Sequence, residues 1–145
     1  MKLDSISWKI LSRLQQDGRA SLASIARDVS MSLPAVTERI KRMEEQGIIE
    51  GYRAVINEAE LGRTLKVFIQ LKTPASRYRS FLDYAEQTEA IRECHHITGD
   101  GAFIIQVLIE DIRQLEPLVE NLSSFGETKT SIVMSSPLMK TMISP

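Results

Sequence analysis

The hydrophobic period of this chain differs between its two parts. Up to Met43 the large apolar residues recur at three- and four-residue spacing, and from Leu65 onward several stretches alternate every second residue. A helix-period pattern does not settle as a strand, nor the reverse. The change therefore predicts a helical first part and a second part built on strands. At 145 residues the chain is long enough for two small domains with separate cores. The polar stretch Asn57–Gly62 is the predicted boundary, giving domains of residues 3–62 and 63–145.

In the first domain Asp4 can cap a helix running to about Gln16, with Leu3, Ile6, Ile10, Leu11 and Leu14 at helical spacing and Gly18 as its end. Ser21 can cap a short second helix containing Leu22, Ile25, Ala26 and Val29. After a break at Ser30–Leu33, Ser32 caps a third helix, where Pro34 is tolerated because first-turn amides have no intrahelical partner. Its inward stripe reads Leu33, Val36, Ile40 and Met43, and Gly47 stops it. Ile48, Ile49, Tyr52, Val55 and Ile56, around the turn pair Glu50-Gly51, predict a small hairpin. Trp8 falls opposite the apolar stripe of the first helix.

Three helices, a tight break between the last two and a following hairpin make a winged helix-turn-helix, with the helix-turn-helix at about residues 22–41. That arrangement places the third helix in the major groove of DNA and gives its outward face a purpose. Arg39, Lys41 and Arg42 are candidates for phosphates or guanine edges, and Glu38 for a cytosine amino group. Ser32 and Thr37 can hydrogen-bond a phosphate or base, Pro34 and Ala35 can touch a thymine methyl, and Arg53 can reach the backbone. Taken alone, the helix reads more readily as a solvated face with an ordinary Glu38/Arg42 pair; the tri-helical context with a hairpin reverses that balance in favour of DNA. Charge agrees in sign: residues 1–57 carry nine Lys and Arg against seven Asp and Glu, +2, and residues 58–145 carry nine against twelve, −3.

The second domain predicts a strand over 64–72, a helix over 76–88 with Tyr78, Phe81, Leu82 and Ala85 inward, and a strand over 90–98. A turn at Thr98–Gly101 leads to a strand over 102–109, a helix over 111–123 on Ile112, Leu115, Val119 and Leu122, and a last strand over 127–134. The order is βαββαβ, the ferredoxin-like pattern, so the whole chain is predicted to be α+β. The tail from Ser135 is a candidate edge strand. With helices on one face of the sheet, Ala102, Ile104, Leu108 and Phe68 would share the other, an apolar face that predicts a two-fold dimer.

Leu3-Asp4, Ile10-Leu11, Asp17-Gly18-Arg19 and the run "LASIARDVSMSLPAVTERIKRMEEQGIIEGYRAVIN" resemble the Lrp/AsnC (leucine-responsive, feast/famine) transcription regulators. The resemblance spans nearly the whole chain. It implies dimers that often assemble into octamers, DNA wrapped around the particle, and modulation by amino acids. By the same matching, His96, Gly99, Asp100, Ala102, Ser131, Ile132 and Val133 would line an effector cleft between subunits. Family members often carry an acid where Ser7 stands, and a Gly-Asp-aromatic-Asp turn where this chain has Gly99-Asp100-Gly101-Ala102. The lost second acid, which helps the response in members that bind amino acids, leaves the effector open. A nucleoid-type architectural protein that bends or wraps DNA with little sequence preference is the alternative function.

Other chemistry finds little support. Cys94-His95-His96 places two potential ligands on one strand face, whereas a structural zinc site takes four. No nucleophile elbow, phosphate loop or zinc-protease helix occurs, so neither an enzyme nor a cofactor is predicted. The single cysteine, the absence of a signal-like start and of a span-length apolar run predict a cytoplasmic protein with no membrane partner.

Overall fold

The computed structural model describes residues 3–99 and 102–145, and the chain divides into two units, Met1–Ile56 with Leu138–Pro145, and Asn57–Pro137. The tail from Leu138, read from sequence as part of the second domain, thus groups with the first.

Three helices build the first unit: α1 (Ser5–Gln16), α2 (Leu22–Asp28) and α3 (Leu33–Glu45). Each starts on a side-chain cap. Asp4 accepts from the Ser7 amide at 2.7 Å, Ser21 from Ser24 at 3.1 Å and Ser32 from Ala35 at 3.4 Å. The α2–α3 break turns on Ser30, a non-glycine residue at φ 55°. Helix α3 ends in a Schellman motif, in which the Ile48 amide donates to Met43 O and the Gly47 amide to Glu44 O, with Gly47 at φ 69°. Ile10, Ile25, Ala26, Val36, Ile40, Met43 and Ile49 form the core.

Two expectations fail here. Leu33 is 47% exposed, so the inward stripe of α3 starts at Val36. The hairpin does not form: residues 50–57 hold no strand, and Val55 is 98% exposed. An isolated two-stranded ribbon is marginal in water, and among the described residues the unit has no neighbouring strand to offer these residues a partner. Ile49 joins the core with Ile48 packed against it, and the Tyr52 hydroxyl donates to Glu44. Burial and that carboxylate raise the pKa of the Tyr52 phenol.

The second unit is a four-stranded antiparallel sheet in the order β2-β3-β1-β4, formed by β1 (Leu65–Lys72), β2 (Ile91–Ile97), β3 (Ala102–Ile109) and β4 (Glu127–Ile132). Helices α4 (Tyr78–Gln87) and α5 (Leu115–Ser123) complete the βαββαβ order. Period-two alternation turns Val67, Ile69, Leu71, Phe103, Ile105, Val107 and Ile109 toward the helix residues Phe81, Ala85, Leu115, Leu118 and Leu122. Gly126 sits where β4 begins beside β1, and a Cβ there would overlap the Lys72 carbonyl.

Three details depart from the pattern read in sequence. Leu82 and Ile112 are 43% and 53% exposed, and Leu118 is buried among the helix residues instead. The tail adds no edge strand, since β4 ends at Ile132. Residue 101 and the acid at 100 of the turn lie outside the described residues. On the helix-free face Leu108 is already 5% exposed and Phe68 is 38% exposed, with Gln70, Gln106 and Lys66 on the same side. The apolar part of that face is smaller than the pattern implied.

Candidate nucleic-acid interface

Helix geometry sorts the residues of α3 at 100° per step. Val36, Ile40 and Met43 point into the core, at 0%, 6% and 2% exposure. Pro34, Glu38, Lys41, Arg42 and Glu45 fall on the opposite side, all exposed. Among the described residues their ion pairs run along the helix itself, Arg42 to Glu38 at 2.9 Å and Lys41 to Glu45 at 3.6 Å. Thr37 is exposed on one flank, where its hydroxyl donates to Leu33 O. Ala35 lies half-buried on the other flank, and Ser32 sits at the helix start as the cap. Arg53 lies in the exposed segment after α3.

Arg39 takes a different role from its sequence neighbours. Its guanidinium donates to both Asp4 carboxylate oxygens, at 2.7 and 3.0 Å, and to Ser7 Oγ at 2.8 Å. Asp4 also accepts from the Ser7 amide, and that bond together with Arg39 brings its carboxyl down to about 2. Ser7, 7% exposed, is thereby satisfied in the core. All three bonds are made by one nitrogen, Nη1, and they fix α3 to the start of α1.

The candidate effector residues separate into two groups. His96 lies on the helix side of β2, stacked on Phe103 with centroids 4.8 Å apart and edge-on to Tyr78 at 5.1 Å. Gly99 follows at φ 106°; Asp100 lies outside the described residues, and Ala102 opens β3 opposite Ile97. Ser131 and Ile132 end β4 on the other edge of the sheet, and the Val133 amide donates to Lys66 O. The row through His96 runs by Phe103 and Leu71 to Thr128, four residues before Ile132. With strands about 4.8 Å apart and about 3.3 Å per residue, the groups stand roughly 20 Å apart within one chain. No single amino acid spans that gap.

Cys94 and His96 share the helix face of β2 as expected, and His95 turns away to pair with Glu93 at 3.1 Å. Burial raises the Cys94 thiol. Among the described residues no group of three or more His, Cys, Asp and Glu side chains is placed to hold a metal ion. Among them, too, no helix is long and apolar enough to cross a membrane.

Comparison with known proteins bears on this geometry. Residues 3–50 match the family model for winged helix-turn-helix DNA-binding domains, and residues 66–143 match the Lrp/AsnC ligand binding domain. The leucine-responsive regulatory protein of Escherichia coli (strain K12) is 31% identical over 139 residues, covering 91% of this chain and 85% of that protein. The chain belongs to the Lrp/AsnC family. Another relative, the HTH-type transcriptional regulator LrpC of Bacillus subtilis, is 27% identical over 135 residues, covering 93% of this chain and 94% of its own. The solved structure of LrpC superposes with a TM-score of 0.90 over 97% of this chain and 100% of that one. A Neisseria meningitidis regulator solved as a complex with L-Met, 23% identical, shares the fold at a TM-score of 0.89 over 98% of this chain and 96% of that one.

As an Lrp/AsnC regulator the protein is a DNA-binding transcription factor with a ligand-binding second domain. Sequence reasoning missed the Asp4–Ser7–Arg39 contact. The signal available was small: Asp4 already serves as a cap, and Ser7 stands at a buried position of α1 where a hydroxyl needs a partner.

Proposed function

We propose that this Lrp/AsnC regulator binds pseudo-palindromic DNA as a two-fold dimer, with α3 of each protomer entering successive major grooves. The observation that carries this reading is the division of labour on α3. The core stripe and Arg39 hold the helix, while Lys41 and Arg42 stay exposed and, among the described residues, pair only along their own helix. Lys41 takes a backbone phosphate and Arg42 a phosphate or guanine edge. Glu38, released from Arg42, accepts from cytosine. Ser32 and Thr37 offer hydroxyls, Pro34 and Ala35 offer apolar contact to thymine, and Arg53 adds a phosphate contact. The protein acts in the cytoplasm, where its DNA is.

An amino-acid effector completes the reading. The two candidate groups, His96–Ala102 and Ser131–Val133, occupy opposite sheet edges, so a common site forms only where one protomer's β2 end meets another's β4 end. A ligand in that place favours some assemblies over others and acts through that difference in affinity.

Hydroxyl-radical footprinting on DNA upstream of the protein's own reading frame tests the DNA reading. It gives two protected half-sites about 34–36 Å apart, one helical turn. A single protected patch, or continuous weak protection, contradicts the two-helix docking.

A further inference from the structure

The chain leaves its first unit after Ile56 and returns to it at Leu138, so two covalent crossings join the units. The return segment is anchored on α1. The Gln15 side-chain amide donates to Ile143 O at 3.0 Å, and its carbonyl accepts from the Ile143 amide at 2.8 Å. One side chain thus supplies both halves of a strand-like backbone pair. Two residues on, Pro145 lines a groove along α1 with Leu3, Trp8, Ser12, Gln16 and Val29.

Little else holds this segment. It contains no helix or strand, and Leu138, Met139 and Ile143 remain 71%, 68% and 70% exposed. A stretch held by two exposed hydrogen bonds and little buried surface opens far more readily than the domain unfolds. Both docked and released states are therefore accessible. The crossing that carries it also runs directly on from Ser131–Val133, the end of β4.

We propose that residues Leu138–Pro145 form a releasable strap, latched by Gln15 onto α1, that covers Trp8 and ties the DNA-binding unit down at a second point. The second tether restricts the orientations open to that unit. Engaging two half-sites at once then costs less conformational entropy when the strap is docked. This consequence rests on the dimeric DNA reading above; the docking itself does not.

Trp8 is the only tryptophan of the chain, so its fluorescence reports the strap directly. Acrylamide quenching is measured on the full chain, on Gln15→Ala, on Gln15→Glu and on a chain ending at Pro137, with circular dichroism confirming that the helices persist. Loss of the cover raises the Stern–Volmer constant about twofold in Gln15→Ala and in the shortened chain, because the closed population is lost. Gln15→Glu, which keeps the acceptor and loses the donor, falls between. Equal quenching in all four proteins overturns the strap. A rise in the shortened chain alone overturns Gln15 as its latch. Quenching of the full chain that rises on dilution assigns the occupant to a second copy and overturns the intramolecular form. In parallel, Gln15→Ala weakens binding to a duplex with two half-sites several-fold and leaves a single half-site unchanged. Equal loss on both duplexes removes the tethering role. Failure of the full chain to bind either duplex refutes the DNA reading, and the Trp8 measurement still decides the strap.

Discussion

Replacing Lys41 by Ala, and Arg42 by Ala in a second variant, separates a reading face from a solvated one. Lys41 and Arg42 are each 66% exposed and, among the described residues, paired only with Glu45 and Glu38 one turn away. Exposed pairs of this kind are worth about 0.3–0.5 kcal/mol. Either truncation should therefore leave the unfolding free energy within about 0.5 kcal/mol of the parent. DNA binding responds far more. A phosphate contact contributes about 0.9 to the slope of log K against log salt. A dimer loses the contact twice, so Lys41→Ala flattens the slope by about 1.8. Between 50 and 200 mM salt the parent then loses roughly tenfold more affinity than the variant. Arg42→Ala, if the guanidinium reads guanine, costs about 1–3 kcal/mol at each half-site and relaxes the preference there. Fluorescence anisotropy at four or more salt concentrations gives affinity and slope together. Arg39→Ala is the control: its Nη1 donates to Asp4 and Ser7, so the substitution lowers stability, and an unchanged slope is the expected result. Parental slopes in both Lys41→Ala and Arg42→Ala, or a flattened slope in Arg39→Ala, would refute the assignment.

Three further outcomes follow from the fold. Gly47 sits at φ 69° with open space where a Cβ would go, so Gly47→Ala costs only backbone strain, about 1 kcal/mol in a urea melt; no loss would mean that α3 does not end in a left-handed residue. At Gly126 the obstacle is the Lys72 carbonyl, so Gly126→Ala costs about 3 kcal/mol and a midpoint near the parent's would contradict the close approach of β4 to β1. Asp4 titrates near 2 when folded against 3.8 when free, so its contribution is complete above about pH 4 and is lost as pH falls toward 2. Over that window Asp4→Asn, which keeps a cap, should lose less stability than the parent, and parallel pH curves would remove Asp4 from the acid response.

What the sequence made legible was local. Ser32 and Gly47 delimit α3 because capping and left-handed termination act within a few residues. Val36, Ile40 and Met43 declare the inward face by spacing alone, and the alternation of β1 declares its buried side. What stayed hidden depends on partners far along the chain. Arg39 reads like Lys41 and Arg42 in sequence, and only its placement against Asp4, 35 residues away, gives it a structural role. Gln15 reads as a polar helix residue, and its partner Ile143 is 128 residues away. The residues after Ile49 have strand propensity, but propensity without a facing strand does not make a ladder, so Val55 stays in water. The effector candidates were legible only through family resemblance. Their division between β2 and β4 follows from the strand order, which no short-range pattern encodes.

We propose that the outward face of α3 reads DNA. Its most direct test is an anisotropy titration of the full chain with a duplex from its own upstream region and with a random duplex of equal length, at several salt concentrations. Tighter binding to the upstream duplex is expected, with both affinities falling as salt rises. Equal binding to both duplexes would contradict sequence-specific reading and favour an architectural role, and no binding at low salt would reduce Pro34 to Glu45 to a solvated face.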